Sequence, residues 1–252
     1  MYNFHETHRK FPPGQVTGPL PEAGVTQAVN HGWGPFILPF IDQQPLFNKY
    51  RWDLKASDPL NQEVITTQLE TFQCPSAEPN RYATNGPAGE YGGKSACGDY
   101  APIWQVDPML VEQRLIDRPR DYFGVLQPNH MTRLVEITDG ASNTILLAED
   151  AGRPRLWRVG RPGEDQTVLG AAWAAYGSGF KLQGSTDDGT MSPGPCAMNC
   201  TNEKQVYSFH PGGANAVFAD GSVHFLQAGM SIRILAALVT RAGGEIVSVT
   251  DY

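Results

Sequence analysis

The sequence predicts an α+β protein, with an antiparallel β-sheet, short helices and long irregular loops. Three observations carry that expectation. Residues 213–252 are patterned as strand, strand, helix, strand. Thr144 to Ala148 is an apolar run of strand length behind a turn. The 27 glycines and 20 prolines among 252 residues assign much of the chain to turns around modest regular structure. At this length a chain buries roughly 70–75% of the surface that its unfolded form exposes. With 40% hydrophobic residues a core is expected and disorder is not. No linker or repeat divides the chain, so 1–252 is expected to be a single domain.

In chain order, Trp33 to Tyr50 is apolar but interrupted by Pro39 and Pro45, which predicts one or two short, kinked, buried helices. Asp58-Pro59 marks a helix start, because aspartate accepts from free amides and proline suits the first helical position, and the helix should run to Gln68. "LETFQCPS" resembles a strand ending at Cys74-Pro75, and Glu78 to Asp99 is turn-rich without period. Pro108 to Gln127 has no clear pattern. Asp139-Gly140 makes a turn, Ser142 and Asn143 can bond local backbone, and Thr144 to Ala148 follows as a buried strand. A long irregular stretch runs from Gly152 to Cys200.

"FHPGGANAVFADGSVHFL" reads as a hairpin. A two-residue turn at Asp220-Gly221 sets Phe218 opposite Val223 and Ala216 opposite Phe225 on an apolar face, with Val217–His224 and Ala219–Ser222 on the other. Gly212-Gly213 bends the chain into the first strand and leaves His210 just outside it. Met230 and Leu235 staple across a Ser231 cap into a helix. Its buried stripe is Ile234, Leu235, Leu238 and Val239, and its outer side is Arg233, Ala237, Thr240 and Arg241. Gly243-Gly244 ends that helix, and "EIVSVTDY" is the expected last strand.

The net charge of −7 and the scattered Lys and Arg exclude a basic surface for nucleic acid. No apolar run is long enough to cross a bilayer, and the first residues lack the pattern of a secretory signal. An even count of four cysteines suits two disulfides in an oxidising compartment, Cys196 with Cys200 and Cys74 with Cys97, the alternative being four free thiols in the cytosol. A zinc site from Cys196, Cys200 and His210 lacks the usual two-residue cysteine spacing and a nameable fourth ligand. Asp187 and Asp188, before Gly189, are weak calcium candidates, and no cofactor is expected.

The order of "FPPG", "ITDGASNTILLAE", "GPCAMNCTN" and "FHPGGANAVFADGSVHFL" with "MSIRILAALVTRAGGEIV" resembles a large bacterial family of unknown biochemical function. Its members carry a prepilin-type N-terminus and an H-x9-DG motif. Here the motif comprises His210, Pro211, Gly212, Gly213, Asp220 and Gly221, and the likeness runs from about Tyr2 to the end. The resemblance implies a pilin-like head, extracytoplasmic at the cell surface or in the periplasm, with residues 1–10 the tail of a long apolar helix expected upstream and 207–252 a C-terminal hairpin–helix–strand unit. It also implies a structural or assembly role without catalysis, among other pilin-like subunits or cell-surface proteins, with membrane contact only through that helix. The isolated chain should then be a monomer or weak dimer.

Two rival functions differ in class. A secreted module for a carbohydrate or protein partner would use exposed aromatics such as Trp104, Trp157, Trp173 or Tyr176. A hydrolase would use His210 as base and Asp220 as its orienting acid. The second lacks a third partner, since Ser142 is not in a nucleophile elbow and "HETH" at His5 to His8 has the wrong spacing for two ligands one turn apart.

Overall fold

A computed structural model describes residues 1–84 and 93–247. The first half is mainly short helical turns. Helix α1 spans Tyr2–His8, and strands β1 (Gln15–Thr17) and β2 (Asn30–Gly32) pair antiparallel. The run that prolines interrupt becomes α2 (Gly34–Ile37), a 3-10 turn and α3 (Gln44–Lys49). Its first part is buried, whereas α3 contributes no fully buried residue. Asp58 accepts from the Leu60 N–H at 2.9 Å as expected of a cap. The helix it starts is shorter than the sequence predicts, with a 3-10 turn leading into α4 (Gln62–Ile65).

"LETFQCPS" is not a strand: Glu70–Phe72 is a 3-10 turn that drops Leu69 and Phe72 into the core. The segment expected to be featureless holds β3 (Tyr82–Thr84) and β4 (Lys94–Ala96), an antiparallel pair, while residues 85–92 lie outside the described residues. Strands β5 (Tyr100–Ala101) and β6 (Ile103–Val106) follow, then α5 (Met109–Glu112) and β7 (Ile145–Glu149). The stretch after Gly152 is less irregular than expected. It contains the antiparallel pair β8 (Arg155–Arg158) and β9 (Arg161–Thr167), and β10 (Phe180–Leu182), which pairs parallel to β6.

Strands β11 (Gly213–Phe218) and β12 (Val223–Gln227) complete a four-stranded antiparallel sheet in the order β12-β11-β7-β5. All five residues of β7 are buried. One core joins Ile145 and Ala148 to Phe218, Leu226 and helix α6 (Ile232–Val239). A second joins Leu146 and Leu147 to Trp33, Leu38, Phe72 and Trp173. The sheet therefore lies between α6 and the N-terminal helical segment, which explains why β7 is a continuous apolar run rather than an alternating one.

The hairpin register is one residue away from expectation. Val217 pairs with Val223 and Ala216 with His224, because Ala219, Asp220 and Gly221 form a three-residue loop. Gly221, at φ 89°, takes the left-handed position that closes such loops. A one-residue slip exchanges faces. Val223 and Phe225 accordingly point outward, 63% and 43% exposed, while His224 stacks edge-on to Phe218.

Helix α6 begins at a Ser231 cap as expected, but it is buried more widely than one stripe, Ala237 and Thr240 included. Of the expected last strand, 245–247 carry no strand and 248–252 lie outside the described residues. Cys196 and Cys200 are joined in a disulfide, whereas Cys74 and Cys97 are free, buried thiols, which corrects the second pairing. Among the described residues no helix is long and apolar enough to cross a membrane.

Candidate functional site

Three distant segments meet where β7 ends. Asp99 organises two of them. Its carboxylate is fully buried, and it accepts from the Cys74 N–H and the Gly152 N–H, each at 2.9 Å. The Arg81 guanidinium grips both of its oxygens. The third segment is fixed by the backbone of Tyr207, whose N–H donates to the Glu149 carbonyl at 2.9 Å, and by the Ser208 hydroxyl, which accepts from the His210 N–H at 3.0 Å.

This framework places the His210 ring over Cys74 and Glu149. Its Nε2 is 3.3 Å from Cys74 Sγ and 3.3 Å from Glu149 Oε1. Its Nδ1 is 3.0 Å from the Ser76 hydroxyl. Cys74 Sγ, Glu149 and His210 offer donor atoms that all lie within 4.8 Å of one another. Glu149 is also held from its other side: Oε2 accepts from the Asn215 N–H at 2.7 Å, and Oε1 accepts from Asn215 Nδ2 at 3.3 Å. Cys74 and Glu149 are buried, and His210, 22% exposed at its side chain, faces the solvent beside Phe225.

The electrostatics follow from burial among carboxylates. The Cys74 thiol is pushed up to about 11, mainly by desolvation and further by the Glu149 and Asp99 charges, so it is protonated at neutral pH. Tyr100, hydrogen-bonded to Glu149, is shifted upward by burial and then by the same carboxylate. The adjacent Asp150 is fully buried and raised to about 7, desolvation outweighing the Arg153 guanidinium 3.2 Å away. Arg153 is itself buried, and it donates to the carbonyls of Asp150 and Ser178.

The structure does not bring His210 and Asp220 together. Asp220 stays in its turn, accepting from the Ser222 N–H at 2.9 Å and the Ser222 hydroxyl at 2.6 Å, while His210 bonds side chains of the Cys74 loop rather than loop backbone. Gly212 has φ 85° in the turn after Pro211, and Gly213 is required by closeness, since a Cβ there would lie 2.0 Å from the Leu226 carbonyl oxygen. Cys196 and Cys200 have no thiol to offer a metal beside His210, being joined to each other. Asp188 is occupied by Thr186 and Thr190, which hold it down at about 2, and Asp187 is exposed. Trp173 is core, while Trp104, Trp157 and Tyr176 are partly buried.

Sequence reasoning missed Glu149, Ser76, Asp99 and Asn215. One signal was available for Glu149: an acidic pair, Glu149-Asp150, closes a run of strand residues that has no polar face.

An α+β fold with a polar, His-centred junction beneath a hairpin defines a structural class but no chemistry by itself. The chain belongs to the family described as "Protein of unknown function (DUF1559)", which it matches over residues 1–229. Comparison with curated proteins and with solved structures finds no significant match.

Proposed function

We propose that this chain is the non-catalytic, extracytoplasmic head of a pilin-like structural or assembly protein, with other pilin-like subunits or cell-surface proteins as its partners. The observation that carries this reading is the seating of α1. Phe4 is buried and packs edge-on to Phe40 at 5.5 Å, and His5 stacks on Phe11 at 4.8 Å. Tyr2 lies against Gly221 of the hairpin turn. Met1 and Tyr2 border an apolar groove of about 470 Å³ whose walls include Trp33, Ile37, Val217 and Val223. A head built to carry an N-terminal helix needs such an anchored entry, in which the first turn is fixed by its own body.

Two further features agree with the reading. The Cys196–Cys200 disulfide suits an oxidising compartment. The groups a hydrolase would need have other commitments, Asp220 to Ser222 and His210 to Cys74 and Ser76.

The test is the native protein recovered from its source cells. The expected product carries an apolar helical segment ahead of Tyr2, fractionates with the envelope and is cleaved by protease added to intact cells. A cytoplasmic product without that segment would count against the proposal. So would a hydrolytic activity that a folded Asp220→Ala variant loses. In sedimentation, residues 1–252 should run as a monomer or weak dimer at micromolar concentration, and a stable closed oligomer would favour a free binding module.

A further inference from the structure

We propose that Cys74, Glu149 and His210 bind a divalent transition-metal ion, zinc by the chemistry of the donors, through Sγ, Oε1 and Nε2. The inference goes beyond the structural role above and does not depend on it.

The donor set comes first. Thiolate, imidazole and carboxylate together match zinc, which is borderline in softness, and they suit neither calcium nor magnesium, which take oxygen ligands. Geometry is the second argument. Zinc bonds of roughly 2.0–2.3 Å at tetrahedral angles set neighbouring donor atoms about 3.3–3.6 Å apart. The spacings from Nε2 to Sγ and from Nε2 to Oε1 are both 3.3 Å.

Convergence of the donors adds to this. Without an ion the Cys74 thiol is hydrogen-bonded to Glu149, and Nε2 of His210 stands 3.3 Å from both the sulfur and the carboxylate oxygen. A cation inside the triangle exchanges these hydrogen bonds for bonds to all three donors at once. As it binds, Cys74 gives its thiol proton to solvent and the sulfur lone pair forms the metal bond. The anionic Cys74 and Glu149 then balance the charge of the ion, and His210 remains neutral.

The surroundings are those of a supported site. Ser76 stands 3.0 Å from the remaining ring nitrogen of His210. Asn215 holds the second oxygen of Glu149, and Asp99 holds the Cys74 backbone. Such outer contacts fix the orientation of ligands. Three protein ligands leave a fourth position, on the side where His210 meets solvent, for water. In a structural head the ion acts as a clamp on segments 74–76, 145–149 and 208–215.

The test titrates cobalt into metal-free protein, anaerobically and with the Cys196–Cys200 disulfide intact. One cobalt per chain is expected, with intense four-coordinate visible bands and a near-ultraviolet thiolate-to-metal band. Cys74→Ser should abolish the near-ultraviolet band. His210→Ala should weaken binding at least tenfold while keeping that band at saturation. A folded wild type that binds no cobalt, binds it without a thiolate band, or keeps the band in Cys74→Ser overturns the proposal.

Should Cys74→Ser fail to fold, the wild type decides. Zinc should protect Cys74 from alkylation, mapped by peptide mass with Cys97 as internal reference. Equal labelling of Cys74 with and without zinc overturns the site.

Discussion

Acidification should destabilise this protein through His31 in particular. His31 is fully buried in β2; its Nδ1 is 2.8 Å from the Tyr50 hydroxyl and its Nε2 is 3.2 Å from the Trp52 carbonyl. A carbonyl only accepts, so Nε2 carries the hydrogen, and Nδ1 accepts from Tyr50: the neutral ring is fully satisfied. Protonation would place a charge among Tyr50 and Trp52 rings. Desolvation therefore lowers its pKa to about 4, with the Trp52 carbonyl opposing.

Because the folded value lies below the unfolded one of 6.5, the unfolded chain binds more protons between the two. Stability is full above that range and falls as pH drops through it. At about 1.4 kcal/mol per tenfold, the loss is on the order of 3 kcal/mol. Urea unfolding from pH 8 to pH 4, on the wild type and His31→Gln, measures it. Glutamine keeps a donor and an acceptor but cannot titrate. Groups that titrate in both proteins, Asp150 among them, drop out of the difference. The stability advantage of the wild type should therefore shrink by most of that amount between pH 7 and pH 4.5. Parallel pH profiles for the two proteins would refute the reasoning.

Three more substitutions have definite signs. Asp220→Ala removes the contacts to Ser222 and should lower stability by about 1 kcal/mol, and Gly221→Ala should cost at least as much, because its φ of 89° strains any side chain; equal midpoints in urea for all three proteins would contradict the three-residue loop. Arg81→Met leaves the buried Asp99 carboxylate without its cation and should cost about 3–5 kcal/mol, partly restored by adding Asp99→Asn, whereas a loss under about 1 kcal/mol would mean that the pair is not buried as described.

The elements legible in the sequence were those written in local signals. Asp58 before Pro59 and Ser231 before Ile232 sit where their patterns placed them, and the buried strand expected over Thr144 to Ala148 is found one residue further on, at Ile145–Glu149. The hairpin was legible but its register was not, since Asp-Gly closes both two-residue and three-residue loops. Cysteine parity misled for a related reason. Cys97 lies among Ala83, Ala171 and Ala172, while Cys74 meets His210, a contact 136 residues apart in the chain that no local pattern encodes. The sequence placed His210 in a motif with Asp220, and only the hydrolase reading set the two side by side; in the structure its ring meets Glu149, which lies in the strand next to β11.

The order of β7 and β11 in the chain bears on synthesis. Strand β7 is complete at Glu149, yet β11, its neighbour on one side, begins only at Gly213. Until those later residues are made, an apolar strand, Ile-Leu-Leu-Ala, keeps one hydrogen-bonding edge unpaired and lacks the Phe218 and α6 side of its core. An unpaired apolar edge is a template for pairing with another chain. A nascent or truncated chain ending before Gly213 is therefore expected to aggregate more readily than the full chain, and β7 needs protection during synthesis until residues 213–252 arrive.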